Sequence, residues 1–329
     1  MCTALTLQTQ DGYNLFGRNM DIEFSFSQSI LLIPRNFNYT DNITGKTQKS
    51  KYAIIGMGTL LGTYPALADG LNEKGLACAG LNFPGYVHYE ENVLEDKINL
   101  APYDVIFWIL NNFDSIEALK KELPHINIVK KPFNESTPLP TLHWIVVDKK
   151  GACIVIEKTK EKLSIYDNAI GVLSNAPTFD WHMTNLRQYI NVDPHQPIAT
   201  SWNNQELAPL GQGLGSFGLP GDFSTVSRFV RIAFLKSKIG NPINELNGIS
   251  EFFHMLNNVS MVTGSVITPQ EKNDITLYTS CMSQQKGIYY YTTYNNSRIN
   301  AIDMNKEDLD GDQVKVFPYL DTQDINYQN

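Results

Sequence analysis

The sequence has few cysteines and no spacing that would pair them. Its four cysteines include no CxxC motif, which argues against a thioredoxin-like centre or a cysteine-rich zinc site. The six histidines form no HxxxH or HExxH pair, so zinc chemistry has little support. No GxSxG turn of an α/β-hydrolase occurs, although the sequence leaves a Ser-His-Asp triad open. Metal-dependent chemistry is therefore not expected.

Basic charge and long apolar runs are also scarce. The 329 residues carry 26 basic and 34 acidic side chains, a net charge of −8, whereas a nucleic-acid partner would require a basic face. No apolar run approaches the roughly 18 residues of a membrane span. The N-terminus has no basic segment followed by an apolar one, so we expect no secretion signal and a cytoplasmic protein. Neither a nucleic acid nor a membrane is an expected partner.

Hydrophobic patterns predict a layered α+β fold. Segments rich in β-branched and aromatic residues predict strands at 3–7, 29–33, 52–57, 76–82, 142–148, 152–157, 163–166, 276–282, 288–293 and 299–304. Helical apolar spacing predicts helices at 103–113, 114–123, 180–190, 224–239 and 250–257, the second opened by a capping box from Asp114 to Glu117. Strand groups separated by helices favour two mainly antiparallel sheets between helix layers.

Cys2 differs from the other cysteines in its position. Cys78, Cys153 and Cys281 lie in apolar strand-like segments, where a buried, unreactive thiol is expected. Removal of Met1, usual before a small residue, would place a free α-amine beside the Cys2 thiol. An α-amine has a reference pKa of about 7.7–8.0, so it can act as a general base near neutral pH. One residue would then supply both nucleophile and base.

Further motifs follow Cys2 in order along the chain. They are Met1-Cys2-Thr3, FGRNMD at 16–21, ADGLNEKGL at 68–76, AGLNF at 79–83, LSNAP at 173–177 and LPGDFSTVSRF at 219–229. In these motifs the sequence resembles the choloylglycine hydrolase family of N-terminal nucleophile hydrolases, and within it the bile salt hydrolases. The resemblance extends to the segment 289–303. It implies one domain over 1–329, a four-layer αββα sandwich, and removal of Met1.

The resemblance implies catalytic roles for Cys2 and for three charged residues of these motifs. Cys2 would attack an amide carbonyl to form a thioester, while Asp21 holds the α-amine by a charge-assisted hydrogen bond. Arg18 would favour the thiolate, because a nearby cation lowers a thiol pKa. Arg228 would extend that positive network. Each residue alone has an ordinary structural interpretation, such as a surface ion pair between Arg18 and Asp21. Their occurrence together with Cys2, in the order and spacing of the family's motifs, favours a catalytic site.

Two asparagines complete the predicted site. By resemblance, Asn82 and Asn175 donate hydrogen bonds to the developing oxyanion. In the related penicillin V acylases the position of Asn82 tends to be aromatic, so Asn82 favours glycine- and taurine-conjugated bile salts as substrates. Penicillin V or another N-acyl amide stays open as an alternative substrate. A protein that binds amphipathic anions without catalysis is a more remote alternative.

A bile salt is an apolar steroid with an anionic tail, so its steroid part is expected to lie in an apolar pocket with few polar groups. By resemblance, the side chains that line it are Met20, Leu61, Phe133, Thr137 and Leu142. Thr137 is more polar than a steroid contact requires. The chemistry needs no cofactor, and resemblance is the only ground for expecting a homotetramer.

Overall fold

Short strands make up most of the regular structure in residues 1–134 and 138–329, the part of the chain that this computed structural model describes. The strands are β1 (Cys2–Gln8), β2 (Asn14–Ile22), β3 (Ser29–Ile33), β4 (Asn38–Thr40), β5 (Thr47–Lys49), β6 (Ile54–Leu61), β7 (Tyr64–Asn72), β8 (Ala77–Asn82), β9 (Ile98–Leu100), β10 (Ile126–Ile128), β11 (Leu142–Val147), β12 (Cys153–Lys158), β13 (Leu163–Asp167), β14 (Val172–Leu173), β15 (Thr200–Trp202), β16 (Gln205–Leu207), β17 (Ile275–Ser283), β18 (Ile288–Thr293), β19 (Asn296–Asp303) and β20 (Lys315–Phe317). The helices are α1 (Val105–Asn112), α2 (Ile116–Glu122), α3 (Phe179–Asn185), α4 (Thr225–Lys238) and α5 (Glu245–Asn257).

Two antiparallel sheets lie face to face. The first has the strand order β14-β1-β2-β17-β18-β19, and the second has the order β13-β12-β11-β8-β7-β6-β3-β20. Their inner faces share a buried core, which includes Phe16, Ile145 and Met282. Because side chains alternate between the two faces of a strand, each sheet also has an outer apolar face to cover.

Helices cover both outer faces. The first sheet is covered by α4 and α5, which pack on β1, β2 and β17, and the second is covered by α1 on β7 and β8. The second helix layer buries a separate core that includes Ile106, Leu110, Leu119, Trp144 and Val146. This arrangement confirms the predicted αββα sandwich. In the described part of the chain, no helix has the length and apolar character to span a membrane.

Most predicted elements are present with shifted ends. The capping box predicted at Asp114 is wrong: Ser115 caps α2, and its hydroxyl accepts a hydrogen bond from the Ala118 N–H. Helix α5 begins at Glu245, ahead of the predicted position 250, because Asn244 caps it. The helix predicted at 180–190 divides into α3 and a 3₁₀ turn at Leu186–Tyr189.

The sequence pattern misses two central strands, β2 and β7. They carry Arg18, Asp21, Asp69 and Asn72, residue types that are rare in central strands. All four are nonetheless buried. Asn72 donates to the Leu110 and Phe113 carbonyls on the α1 side. Because a buried charge is costly unless it is paired, the electrostatic interaction of Arg18 with Asp69 between the two sheets indicates a functional site there.

Candidate active site

Cys2 opens β1, a strand that lies between β14 and β2 in the first sheet. The register places Cys2 opposite Met20, and the Cys2 Sγ lies 4.0 Å from the Met20 Sδ. The cysteine is 3% exposed. The strand pairing therefore holds the thiol at one end of the sandwich, among residues of β2.

A buried guanidinium contacts this thiol. Arg18 donates from Nη2 to the Cys2 Sγ and from Nη1 to the Gly80 carbonyl at 2.8 Å. Burial alone lowers the pKa of Arg18, but the neighbouring Cys2 and nearby acidic groups outweigh it and raise the pKa above its ordinary value. Arg18 thus stays positively charged beside the sulfur, a setting that stabilises a thiolate.

Asn175 connects the remaining parts of the site. Its Oδ1 accepts hydrogen bonds from the Cys2 backbone N–H at 2.8 Å and from the Arg228 Nη2 at 2.8 Å. Its Nδ2 donates to the Asn82 carbonyl at 2.7 Å. Because a backbone N–H and a guanidinium can only donate, the orientation of the amide is determined. The structure therefore brings Cys2, Asn82, Asn175 and Arg228 together.

Arg228 provides a second buried cation, on the backbone side of Cys2. It lies in α4 and donates from Nη1 to the Cys2 carbonyl at 2.6 Å and to the Thr3 Oγ1 at 2.5 Å. Burial lowers the pKa of Arg228, while Asp21 and Cys2 oppose that effect. Ser224 caps the helix by accepting from the Ser227 N–H, which sets where α4 begins and hence where Arg228 points.

Asp21 has one carboxylate oxygen without a donor. Its Oδ1 accepts from the Thr276 Oγ1 at 2.6 Å. Its Oδ2 is buried and has no hydrogen-bond partner among the described residues; the Arg228 Nη1 lies 3.8 Å from it. Leaving a buried acceptor unsatisfied costs about 1–3 kcal/mol, and more when the acceptor is charged. An α-ammonium group on Cys2 is a donor that would suit this oxygen.

Met1 precedes Cys2 and pairs with the chain at Asp21. The Asp21 N–H donates to the Met1 carbonyl at 2.9 Å. The Met1 amine contacts the Asp21 carbonyl and lies 3.3 Å from the Asp274 Oδ2. With Met1 attached, the nitrogen of Cys2 is an amide that donates to Asn175 and has no basic lone pair.

The structure adds Asp69, to which sequence reasoning assigned no role. Its carboxylate accepts from the Tyr278 hydroxyl at 2.7 Å and from the Tyr289 hydroxyl at 2.6 Å. Burial raises the pKa of this carboxyl, while Arg18 lowers it. Asp69 is therefore a buried acidic neighbour of the Arg18 charge. An acidic residue in the apolar stretch of β7 was the signal that could have identified it.

Two of the predicted steroid contacts lie beside the catalytic candidates. Met20 is partly buried next to the Cys2 sulfur. Leu142 lies opposite Asn82 in the pairing of β11 with β8, and it is partly buried. Asn82 itself is exposed, so the site meets solvent on this side.

Of the other three predicted steroid contacts, two lie within the described residues. Leu61 is partly buried at the end of β6. The Phe133 ring packs edge-on against Tyr103, with 5.6 Å between ring centroids. Thr137 lies outside the described residues. The assignment of these side chains to a steroid pocket stays a prediction.

The remaining cysteines are free and buried, as the sequence predicts. Burial raises the pKa of the Cys153 thiol to about 12, and it raises those of Cys78 and Cys281 as well. A thiol with a raised pKa is a poor nucleophile near neutral pH. Cys2 is set apart from all three by its contact with a guanidinium.

The fold and this thiol–guanidinium centre define a hydrolase-type site, and comparison with known proteins gives the family. Residues 2–317 match the family described as linear amide C–N hydrolases, choloylglycine hydrolase family. The chain is 53% identical to a bile salt hydrolase/transferase of Clostridium perfringens, over 100% of both chains. A crystal structure of a variant conjugated bile acid hydrolase from the same species superposes with a TM-score of 0.95 at 52% identity, over 100% of both chains.

A more distant structure has the same fold. Penicillin V acylase from Agrobacterium tumefaciens gives a TM-score of 0.75 at 22% identity, covering 96% of this chain and 90% of the acylase. The chain belongs to the choloylglycine hydrolase family of linear amide C–N hydrolases, as its motifs predict. It is thus an amidohydrolase of the N-terminal nucleophile fold.

Proposed function

We propose that this protein hydrolyses the amide bond of glycine- and taurine-conjugated bile salts, with Cys2 as nucleophile once Met1 is removed. The full-length similarity to bile salt hydrolases supports the substrate class. The observation that carries the mechanism is the contact of the Cys2 thiol with the Arg18 guanidinium. The backbone nitrogen of the same cysteine donates a hydrogen bond to Asn175.

The first half-reaction forms a thioester. The Cys2 sulfur attacks the carbonyl carbon, and the thiol proton passes to the α-amine of the same residue. Negative charge develops on the carbonyl oxygen, where amide N–H groups of Asn82 and Asn175 would stabilise it. The α-ammonium then protonates the departing nitrogen, the C–N bond breaks, and glycine or taurine leaves.

The second half-reaction uses water. The α-amine takes a proton from water, and the resulting hydroxide attacks the thioester carbonyl. The C–S bond breaks, the free bile acid leaves, and the proton returns to the sulfur. In each half-reaction the α-amine becomes an ammonium, which needs an anionic partner, and the unsatisfied Oδ2 of Asp21 supports that role for this carboxylate.

Amine release tests the proposal. Protein of confirmed N-terminal mass is incubated with glycocholate, taurocholate and penicillin V in parallel. Cys2→Ala should abolish release of glycine and taurine, whereas Cys153→Ala, at a buried thiol away from the site, should not. Faster cleavage of penicillin V would instead assign the protein to the acylase branch. No turnover of any of the three amides would contradict the proposed substrate.

Location and assembly stay predictions. A cytoplasmic location agrees with reduced, unpaired cysteines. The predicted homotetramer is supported by large exposed apolar side chains in the segment 190–217, where Ile198 is 90% and Phe217 is 83% exposed. Such surfaces commonly mark protein contacts.

A further inference from the structure

Two buried histidines, which the catalytic steps above do not use, hold the backbone on either side of the Asn175 Cα. The His143 Nε2 lies 2.9 Å from the Ser174 carbonyl oxygen, and the His182 Nε2 lies 3.0 Å from the Asn175 carbonyl oxygen. A carbonyl oxygen only accepts, so both Nε2 atoms carry the proton and donate it. Both histidines are fully buried. Each peptide group that flanks the Asn175 side chain is therefore held by an imidazole.

Glu157 orients the first of these rings. The His143 Nδ1 lies 3.0 Å from the Glu157 Oε1, and the same carboxylate accepts from the Phe179 N–H at 3.0 Å. The shared proton lies either on His143, giving an ion pair, or on Glu157, giving a neutral pair. In both arrangements the Nε2 remains the donor to Ser174. The pair therefore holds the ring in one orientation.

The same ring also contacts the chain beside the other predicted oxyanion residue. The His143 imidazole stacks on Phe83, with 4.3 Å between ring centroids and an interplanar angle of 7°. Phe83 is the residue directly after Asn82, and Ser174 is the residue directly before Asn175. One side chain thus contacts the neighbours of both asparagines, and so it helps to set the distance between them.

His182 is a neutral ring held by stacking. Its ring lies 4.4 Å from that of Phe229, the residue after Arg228, and burial lowers the pKa of His182 to about 4. Its Nδ1 has no hydrogen-bond partner within the described ranges, which leaves the Nε2–H tautomer as the one that satisfies Asn175. His182 therefore connects Asn175 with the helix that carries Arg228.

Thr225 holds the same two residues from a third direction. The Asn175 N–H donates to the Thr225 Oγ1 at 2.9 Å, and the Ser174 hydroxyl donates to the Thr225 carbonyl at 3.0 Å. With the backbone held from three sides, the Asn175 amide has little freedom of position. Such preorganisation matters, because a misplacement of about 1 Å can cost about 10²-fold in rate.

We propose that the His143–Glu157 pair and His182 are positioning residues that align Asn175 with Asn82 for oxyanion stabilisation. The inference rests on the proposed function of the site. Neither histidine touches the reacting atoms, so their effect is on the transition state through Asn175. Substrate binding in the ground state should be little affected.

The test compares two substitutions at His143. His143→Leu removes the donor to Ser174, so kcat should fall about 10- to 100-fold while KM changes little. His143→Gln restores an N–H donor and should recover most of the lost kcat. The aldehyde corresponding to cholic acid, which adds to a thiol to give a tetrahedral adduct, should lose affinity for His143→Leu by the same factor as kcat. Affinity for cholate itself should stay unchanged.

Controls separate positioning from simple loss of structure. Alkylation of Cys2 counts intact sites, so kcat is expressed for each reactive thiol. Val146→Ala, at a buried position of the same strand in the other core, should lower stability but not kcat. If His143→Leu does not fold, His182→Leu carries the same test with His182→Gln as its rescue, since it leaves no charged partner unpaired.

Two kinds of result would overturn the inference, and they are distinguishable. Unchanged kcat in the leucine variants, or a glutamine variant no better than leucine, contradicts positioning while the proposed function stands. Absence of amide turnover in the unsubstituted protein with Cys2 exposed would overturn the proposed function, and this inference would fall with it.

Discussion

The hydrogen bonds of Asn175 allow its donor and acceptor functions to be tested separately. Its Nδ2 donates to the Asn82 carbonyl, and its Oδ1 accepts from the Cys2 N–H and the Arg228 Nη2. Asn175→Ala removes both functions, whereas Asn175→Asp keeps the acceptor and removes the donor. Loss of one preorganised oxyanion donor costs about 10²–10³ in kcat, or about 2.7–4 kcal/mol of transition-state stabilisation. Both variants should therefore lose turnover by about that factor.

Stability should separate the two variants. Alanine leaves the Cys2 nitrogen and the buried Arg228 Nη2 without their shared acceptor, and each buried unsatisfied donor costs about 1–3 kcal/mol. Asn175→Ala should thus lower the free energy of unfolding by at least about 2 kcal/mol. Asn175→Asp should lower it less, because an oxygen still faces Arg228.

The assay is release of glycine from glycocholate, measured together with urea unfolding. Asn185→Ala provides a matched control, since Asn185 is a buried asparagine in α3 whose Oδ1 accepts from Gln188. That control should keep full turnover. Turnover equal to wild type in Asn175→Asp would refute the donor role, and equal turnover in Asn175→Ala would remove Asn175 from the site.

Three further predictions follow from contacts elsewhere in the site and its supporting strands. Asp21→Asn should lower kcat/KM about 10- to 100-fold, since a charge-assisted hydrogen bond contributes about 1.5–3 kcal/mol; an unchanged kcat/KM would contradict the role of Asp21. Burial lowers the pKa of His182 from 6.5 to about 4, so the folded protein favours the neutral ring. The contribution of His182 to the free energy of unfolding is therefore present above pH 6.5 and is lost as the pH falls towards 4. That contribution is about 3 kcal/mol, and His182→Gln should flatten the pH dependence of urea midpoints between pH 4 and 7; parallel curves would contradict it. Gly17→Ala should prevent stable folding, because its Cβ would lie 2.0 Å from the Ser280 carbonyl oxygen; a normal melting curve would show that β2 and β17 can separate.

The sequence predicts the alternating apolar strands and the amphipathic helices. It does not predict the two central strands that carry charged residues, β2 and β7. Segments such as β3 (Ser29–Ile33) and β18 (Ile288–Thr293) have the predicted bounds, because burial on a sheet favours β-branched and aromatic residues. β2 has an arginine, an asparagine and an aspartate inside the sheet, contrary to strand propensity. Tertiary pairing with β1 and β17 outweighs that propensity.

The catalytic candidates were identifiable by motif, but their geometry was not. Cys2 and Asn175 lie 173 residues apart in sequence, and only the sheet order that places β14 beside β1 brings them together. The partners Thr276 and Asp274 come from the start of β17 and the residue before it, where no local pattern marks them. Likewise, the histidines looked unrelated in sequence, yet His143 and His182 hold adjacent peptide groups.

The central claim is that a free α-amine on Cys2 is required for catalysis. A form with a short extension before Cys2, removable by a site-specific protease, is assayed with glycocholate before and after cleavage, with intact mass recorded each time. Before cleavage the nitrogen of Cys2 is an amide, as it is with Met1 attached, and we expect no glycine release. After cleavage we expect full turnover and, on rapid acid quenching, the mass of a cholyl thioester on the Cys2 peptide. Full turnover with the extension still attached would contradict the claim.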